Sequence, residues 1–162
     1  GSNDLSYVSA VDYNEEKEKE RYNMKTAVVY WSGTGNTEIM AKKVEEGAKA
    51  AGAEVSVFTA AEFSAAKLDE FDAIAFGCPS MGDEQLEEAE FEPMFTSCIP
   101  GLQKKKVGLF GSYGWGDGAW MRSWEDMCRN NGIITVSEGV ICCGAPDDGA
   151  SSELMELGKA LA

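Results

Sequence analysis

The chain has 162 residues, which favours a single domain, and its 44% hydrophobic and 26% charged residues are ordinary for a globular protein. Fourteen Lys and Arg oppose 28 Asp and Glu, so the formal net charge is -14. This charge excludes nucleic acid and anionic membrane surfaces as default partners and favours basic proteins. The chain has no His, which excludes His-based catalytic triads and His metal sites.

The first 23 residues differ in pattern from the rest. Gly1-Ser2 looks like a cloning remnant, and every residue from Glu15 to Arg21 is charged. We expect residues 1–23 to be a solvated extension or a short polar helix, and residues 24–162 to form the domain. No signal peptide and no membrane-spanning run is visible, and the odd number of five Cys argues against a closed disulfide framework. We therefore expect a cytoplasmic protein.

From Met24 onward, strand patterns alternate with helix patterns. Strands are predicted at Thr26–Trp31, Val55–Phe58, Ala73–Gly77, Val107–Gly111 and Ile133–Ile141. Helices are predicted at Thr37–Ala51, from Pro93 toward Cys98, through Trp120, Trp124 and Met127, and at Glu153–Leu161. This alternation predicts an α/β fold: a doubly wound, five-stranded parallel sheet with helices on both faces. Ligands of such sheets bind outside the carboxyl ends of the strands, so the loops after strands one, three and four are the candidate site.

The loop after the first strand is built to bind a phosphate. Ser32, Thr34, Asn36 and Thr37 alternate with Gly33 and Gly35, directly before a helix N-terminus. Glycines expose the backbone N–H groups, and the helix start adds free donors and a favourable dipole. The loop has no Lys, which excludes a nucleoside triphosphate loop, and a Glu stands where a dinucleotide-binding loop has its third Gly. A neutral nest of this kind suits a monoester phosphate.

The other two loops each carry one large apolar side chain beside glycine. The third-strand loop, Cys78–Glu84, contains Met81, and the fourth-strand loop, Ser112–Gly118, contains Trp115. A thioether and an indole suit the two faces of a planar ring. The three loops together predict a ligand with a phosphate at one end and a planar ring at the other, which flavin mononucleotide (FMN) fits.

Three motifs carry a resemblance to a known family. Ser-Gly-Thr-Gly-Asn-Thr at Ser32–Thr37, Met-Gly-Asp-Glu at Met81–Glu84 and Gly-Ser-Tyr-Gly-Trp-Gly at Gly111–Gly116 resemble a flavodoxin of the short-chain, anaerobic-bacterial kind. The resemblance runs from Met24 to the C-terminus, and the uninterrupted run Ile133–Ile141 separates the chain from the long-chain group. It implies strand order 2-1-3-4-5, the order that defines the flavodoxin-like fold, with FMN at the switch point.

The resemblance also implies roles for individual residues. Met81 is expected on the inner face of the flavin and Trp115 on the outer face. The Gly82–Asp83 peptide is expected to face flavin N5, and Glu84 to hydrogen-bond near N3. The remaining cofactor-binding residues that it implies are Ser32, Gly33, Thr34, Gly35, Asn36 and Thr37 around the phosphate, and Pro79, Ser80, Ser112, Tyr113, Gly114 and Gly116 around the pocket. Relatives often place an Asn beside the ring near the end of strand five, where this chain has Cys142-Cys143-Gly144, so no ring contact is assigned there.

The resemblance implies a low-potential one-electron carrier, with no enzymatic activity and no metal, whose FMN shuttles between semiquinone and hydroquinone. Six acids and no base lie between Asp83 and Glu92, and they are expected either to form a solvated helix face or to lower the potential and attract redox partners with basic docking surfaces. A monomer is expected. The alternatives are an FMN-dependent NAD(P)H:quinone reductase, which needs a nicotinamide site, and a non-redox signalling module, which needs clustered Asp and a strand-four Lys.

Overall fold

A computed structural model describes residues 23–162, so the predicted extension lies almost wholly outside the described residues. The described part contains five strands and four α-helices. In chain order these are β1 (Lys25–Tyr30), α1 (Asn36–Ala50), β2 (Glu54–Thr59), β3 (Ala73–Gly77), α2 (Phe91–Cys98), β4 (Lys106–Tyr113), α3 (Ala119–Asn130), β5 (Val140–Cys143) and α4 (Asp148–Ala160). No helix among residues 23–162 is long and apolar enough to cross a membrane.

The strands form one parallel sheet in the order β2-β1-β3-β4-β5, which confirms the predicted fold class. β1 and β3 are central, and their apolar residues are buried on both faces, as a parallel sheet requires. The order reverses between β1 and β3, so the carboxyl ends of these two strands flank the switch point of the sheet.

The two faces of the sheet are covered differently. On one face, α1 and α4 pack backbone to backbone: a Cβ on Gly47 would meet the Met155 carbonyl oxygen, and one on Gly158 would meet the Val44 carbonyl oxygen. On the other face, α2 and α3 bury a cluster of rings in which Phe76, Phe95 and Trp124 meet edge to face. Two short 3-10 segments, instead of an α-helix, connect β2 to β3.

The predicted bounds of strand five are wrong. β5 begins at Val140, seven residues after the predicted start, and only the bridge between Val107 and Thr135 pairs the preceding segment with β4. The Gly139 N–H donates to the Glu125 carboxylate at 3.0 Å instead of joining the ladder, and a Cβ on Gly139 would overlap the Met121 side chain. The predicted run Ile133–Ile141 is therefore not one continuous strand, because a short segment before Val140 leaves the sheet.

Two helices begin at least two residues earlier than predicted. α4 begins at Asp148 because the Asp147 carboxylate accepts the Ala150 N–H at 2.8 Å and caps the helix. α2 begins at Phe91, so Pro93 lies inside its first turn, where its missing N–H removes no helical hydrogen bond.

Candidate functional site

The loop Ser32–Thr37, called the phosphate nest below, connects β1 to α1 with few internal bonds. The Ser32 hydroxyl accepts the N–H groups of Gly35 at 3.1 Å and Glu38 at 3.3 Å. Gly35 has a φ of 99°, a left-handed conformation that costs glycine little. The side chain of Ser32, which was predicted to bind the phosphate, thus stabilises the conformation of the nest through these two hydrogen bonds.

Four backbone donors of the nest remain free. Among the described residues, no protein acceptor is bonded to the N–H groups of Gly33, Thr34, Asn36 and Thr37. Two of these belong to the first residues of α1, where helix geometry leaves N–H groups without an intrahelical partner and the dipole favours an anion. This set of donors fits a phosphate group.

The electrostatic surroundings of the nest are negative. Burial raises the pKa of the neighbouring Tyr30 phenol, and the carboxylates of Glu38 and Glu62 raise it further. The nest itself contains no basic side chain. An anion bound there would therefore be held by hydrogen bonds and the helix dipole of α1 rather than by an ion pair.

The segment Cys78–Glu87, called the hairpin loop below, leaves β3 and carries the predicted ring-facing residues. Met81 and Gln85 form an antiparallel bridge, with N–H···O distances of 2.8 and 2.9 Å. Gly82 between them has a φ of 49°. Glu84 has a φ of 58° and is the only non-glycine residue with positive φ between residues 23 and 162. The tip of this loop is consequently a tight, strained turn.

The fourth-strand loop is connected to the hairpin loop through Glu84. The Glu84 carboxylate accepts the Asp117 N–H at 3.1 Å, and a Cβ on Gly116 would overlap that carboxylate. Asp117 in turn pairs with Arg122 at 2.9 Å. Trp115 projects outward with 64% of its surface exposed. An exposed indole on a glycine-bounded loop is available to cover a planar group.

A cavity of about 260 Å³ connects the three predicted loops. Nine predicted residues line it: Gly33, Thr34, Asn36, Pro79, Ser80, Met81, Ser112, Tyr113 and Gly114. Trp31 and Gly144 also line it, and the sequence prediction missed both. Gly144 is held at this edge because its carbonyl accepts the Ser112 hydroxyl at 2.6 Å and its N–H donates to Tyr113 O at 2.9 Å. The sequence could have indicated Gly144, because this residue directly follows β5 and the carboxyl ends of parallel strands meet at the same edge of the sheet.

The other predicted residues lie around this cavity. Ser32 lines an adjoining cavity of about 280 Å³. Gly82 and Asp83 line a groove of about 410 Å³ beside the hairpin loop, and Glu84 lines one of about 240 Å³ against α3. The predicted residues that line none of these cavities are Gly35, Thr37, Trp115 and Gly116.

The residues present fit FMN. The free donors of the nest suit its phosphate, and the cavity continues from the nest past Met81 to Tyr113, where a planar ring would lie. The individual contacts predicted for the flavin ring stay predictions.

Comparisons with known proteins agree with this arrangement. The sequence profile named Flavodoxin matches residues 28–158. The flavodoxins of Megasphaera elsdenii and Clostridium beijerinckii are 44% and 42% identical over 135 residues, which are 83% of this chain and 96% and 97% of those proteins. The solution structure of two-electron reduced Megasphaera elsdenii flavodoxin superposes with a TM-score of 0.75 at 43% identity, covering 84% of this chain and 97% of that one. The chain therefore belongs to the flavodoxin family and is an FMN-binding electron-transfer protein rather than an enzyme.

Proposed function

We propose that the chain holds FMN between the phosphate nest, the hairpin loop and the fourth-strand loop, and passes single electrons at low potential between redox proteins. Bound FMN supplies the redox chemistry, because no protein side chain of the site is itself a reversible electron carrier. The observation that carries the proposal is the group of four free N–H donors in the nest, next to a cavity that all three loops line.

The nest would bind the phosphate and fix the orientation of the cofactor. Hydrogen bonds to a charged acceptor contribute more than bonds between neutral groups, about 1.5–3 kcal/mol each. The donors of Gly33, Thr34, Asn36 and Thr37 would therefore provide much of the affinity. No basic group is present to receive a second phosphate, so FMN is favoured over FAD.

The ring end of the site would exclude water and shape the surroundings of the flavin. Met81 at the cavity wall and the exposed Trp115 would cover opposite faces of the ring. The strained turn at Gly82 and Glu84 would place backbone N–H and C=O groups along the ring edge. Exposed carboxylates on the same side of the molecule would disfavour additional negative charge there, which lowers the potential for adding the second electron.

Charged side chains differ between the edge of the sheet at the carboxyl ends of the strands, called the acidic edge below, and the opposite edge at their amino ends. Carboxylates follow the carboxyl ends of the strands, at Asp83, Glu84, Glu88, Glu90, Asp117, Asp147 and Asp148. At the opposite edge the charges are mixed: Lys25 and Lys106 begin β1 and β4, Lys104 and Lys105 directly precede β4, and Glu54 and Asp72 lie beside Lys25. We infer that the acidic edge attracts partners with basic docking surfaces, oriented toward the cofactor.

We also propose that the protein is a cytoplasmic monomer. All five cysteines are free, which suits a reducing compartment. The exposed large apolar side chains of the described residues, Ile39, Val57, Trp115 and Ile134, belong to four separate segments of the chain. Sedimentation of the 17.4 kDa chain as a single monomeric species is the expected result. The quinone reductase alternative is not favoured, since the relatives are flavodoxins.

Titration of the apoprotein with FMN, riboflavin and FAD tests the site. We expect FMN to bind at least a hundredfold more tightly than riboflavin, because riboflavin leaves the four donors of the nest without an acceptor. Equal affinity for FMN and riboflavin would contradict the phosphate assignment. Stepwise chemical reduction of the FMN-loaded protein should resolve two one-electron steps, and rapid bleaching by NADPH would instead favour the reductase.

Charge reversal tests the docking surface. We expect Glu88→Lys to slow electron transfer to a basic acceptor protein and to weaken the dependence of that rate on ionic strength. Glu54→Lys is the matched control, because Glu54 is also exposed but lies at the opposite edge, at the start of β2. Equal slowing by both variants would mean that net charge, not this surface, determines the rate.

A further inference from the structure

A buried thiol closes the base of the hairpin loop. The Cys78 Sγ accepts the Glu87 N–H at 3.4 Å, and its S–H is placed to donate to the Pro79 carbonyl at 3.5 Å. Cys78 is fully buried and Glu87 is only 7% exposed, although most of the residues between them reach the surface. The thiol thus joins the first and last residues of a ten-residue excursion at a point that water does not reach.

The groups around this thiol make the base of the loop rigid. The Trp120 indole N–H donates to the Cys78 carbonyl at 3.1 Å, and a Cβ on Gly111 would overlap that same carbonyl. On the other side, the Glu87 carboxylate accepts the N–H groups of Ala89, Glu90 and Phe91 at 2.7, 2.9 and 2.8 Å. Glu87 is consequently fixed to the N-terminus of α2 while its own N–H is bonded to the thiol.

The tip of the loop has fewer restraints than the base. The Met81–Gln85 bridge is attached to the rest of the protein through the Ser80 N–H, which donates to Ser112 O at 3.0 Å, and through Glu84. An ideal Cβ on Gly82 would meet no atom within 4 Å. Gly82 therefore borders open space, and apart from these two attachments the position of the turn depends on the base of the loop.

We propose that Cys78 is a positioning residue, whose thiol fixes the Met81–Gln85 turn relative to the flavin ring and thereby determines how far apart the two one-electron reduction potentials lie. This inference rests on the proposed placement of the ring beside the hairpin loop. Burial also raises the pKa of the Cys78 thiol to about 12, although the Glu87 N–H opposes this shift. The thiol consequently remains protonated and keeps both its donor and its acceptor role at neutral pH.

The test compares Cys78→Ala with Cys78→Ser and with Cys128→Ala. Cys128 is the matched control, because it is equally buried in the same aromatic-lined core cluster and its thiol takes part in no hydrogen bond among the described residues. Amide hydrogen exchange of the apoproteins reports the Glu87 N–H without the cofactor. Potentiometric titration of the FMN-loaded proteins measures the two one-electron reduction potentials. The difference between these potentials gives the equilibrium constant that relates the two steps.

We expect Cys78→Ala to accelerate exchange of the Glu87 amide about tenfold and to change the equilibrium constant between the two steps about threefold to tenfold, the range of one neutral hydrogen bond. Cys78→Ser should restore part of both effects, and Cys128→Ala should show neither. An unchanged constant in Cys78→Ala, or an equal change in Cys128→Ala, would overturn the inference. If Cys78→Ala does not fold, Cys78→Ser is compared with the wild type instead. A change in both readouts that is smaller than the values given above for Cys78→Ala supports the role, and no change in either readout overturns it. Failure of the wild-type protein to bind FMN would instead overturn the proposed function, and this inference with it.

Discussion

The phosphate nest and the hairpin loop use backbone hydrogen bonds in opposite ways. In the nest one side chain, the Ser32 hydroxyl, accepts N–H groups of the loop, and four further N–H groups have no acceptor among residues 23–162. The hairpin loop uses three of its donors internally, two at the Met81–Gln85 bridge and one at the bond from Glu87 to the Cys78 thiol. A loop that must bind an anion keeps its donors available, whereas a loop that must hold a defined shape beside a ring uses part of its donors for that shape. Substitutions in the two loops should therefore affect different measurements.

The largest effect is expected where the hairpin loop meets α2. Glu87→Ala removes an acceptor of three backbone N–H groups in a nearly buried position, so we expect the free energy of unfolding of the apoprotein to fall by about 3 kcal/mol. Urea denaturation measures this. Glu88→Ala is the control, because Glu88 is exposed and accepts no hydrogen bond in the described part of the chain. The ratio of FMN to riboflavin affinity should stay unchanged, and a fall in that ratio would mean that the two loops are not independent.

The second effect separates conformational strain from ligand binding in the nest. Gly35 and Gly52 both have a φ of 99°, and an ideal Cβ at either position meets no atom within 4 Å. Gly35→Ala and Gly52→Ala should each lower the free energy of unfolding by about 1 kcal/mol, because Ala is strained at positive φ. Only Gly35→Ala should weaken FMN binding, about tenfold, because Gly52 lies at the end of α1 away from the nest. Equal FMN affinity of the two variants would show that the nest does not hold the phosphate.

The third effect concerns the ring end of the site. Trp115→Ala should reduce FMN affinity about fivefold, since stacking contributes about 1 kcal/mol beyond burial, and it should leave the stability of the apoprotein unchanged because the side chain is 64% exposed. Ile134→Ala is the control, since Ile134 is also an exposed apolar residue, outside the site loops. Unchanged FMN affinity in Trp115→Ala would leave the indole without a role in binding.

The sequence indicates the shape of the nest more directly than the shape of the hairpin loop, for a physical reason. The nest is local: Gly35, Ser32 and the start of α1 lie within seven residues, and the pattern of hydroxyls and glycines is visible in the chain. The strand order that the family resemblance implies is confirmed. The positions of the first four strands were visible in the sequence because buried parallel strands give continuous apolar runs.

The features that the sequence missed depend on distant contacts. The start of β5 was wrong because the Gly139 N–H goes to Glu125, fourteen residues earlier and on a helix. Gly144 was missed because Ser112, on the neighbouring strand, holds it at the cavity. Among the six acids between Asp83 and Glu92, no local pattern distinguishes Glu87, which turns inward, from Glu88, which is exposed. Glu87 therefore caps the N-terminus of α2 and belongs neither to a solvated face nor to a docking surface.

The smallest effect is a pH dependence that originates in the hairpin loop. Burial alone would raise the pKa of the Glu87 carboxyl, but the N–H groups of Phe91, Glu90 and Ala89 together hold that pKa below its ordinary value. A carboxyl with a depressed pKa in the folded state stabilises the protein above its unfolded pKa, about 4.3, and loses this contribution as the pH falls through the folded value. We expect Glu87→Gln, which keeps one oxygen acceptor, to weaken the loss of apoprotein stability below about pH 4.5. Urea denaturation at a series of pH values measures the slope, with Glu88→Gln as the control. Identical slopes for wild type and Glu87→Gln would mean that the cap acts through its shape alone and not through its charge.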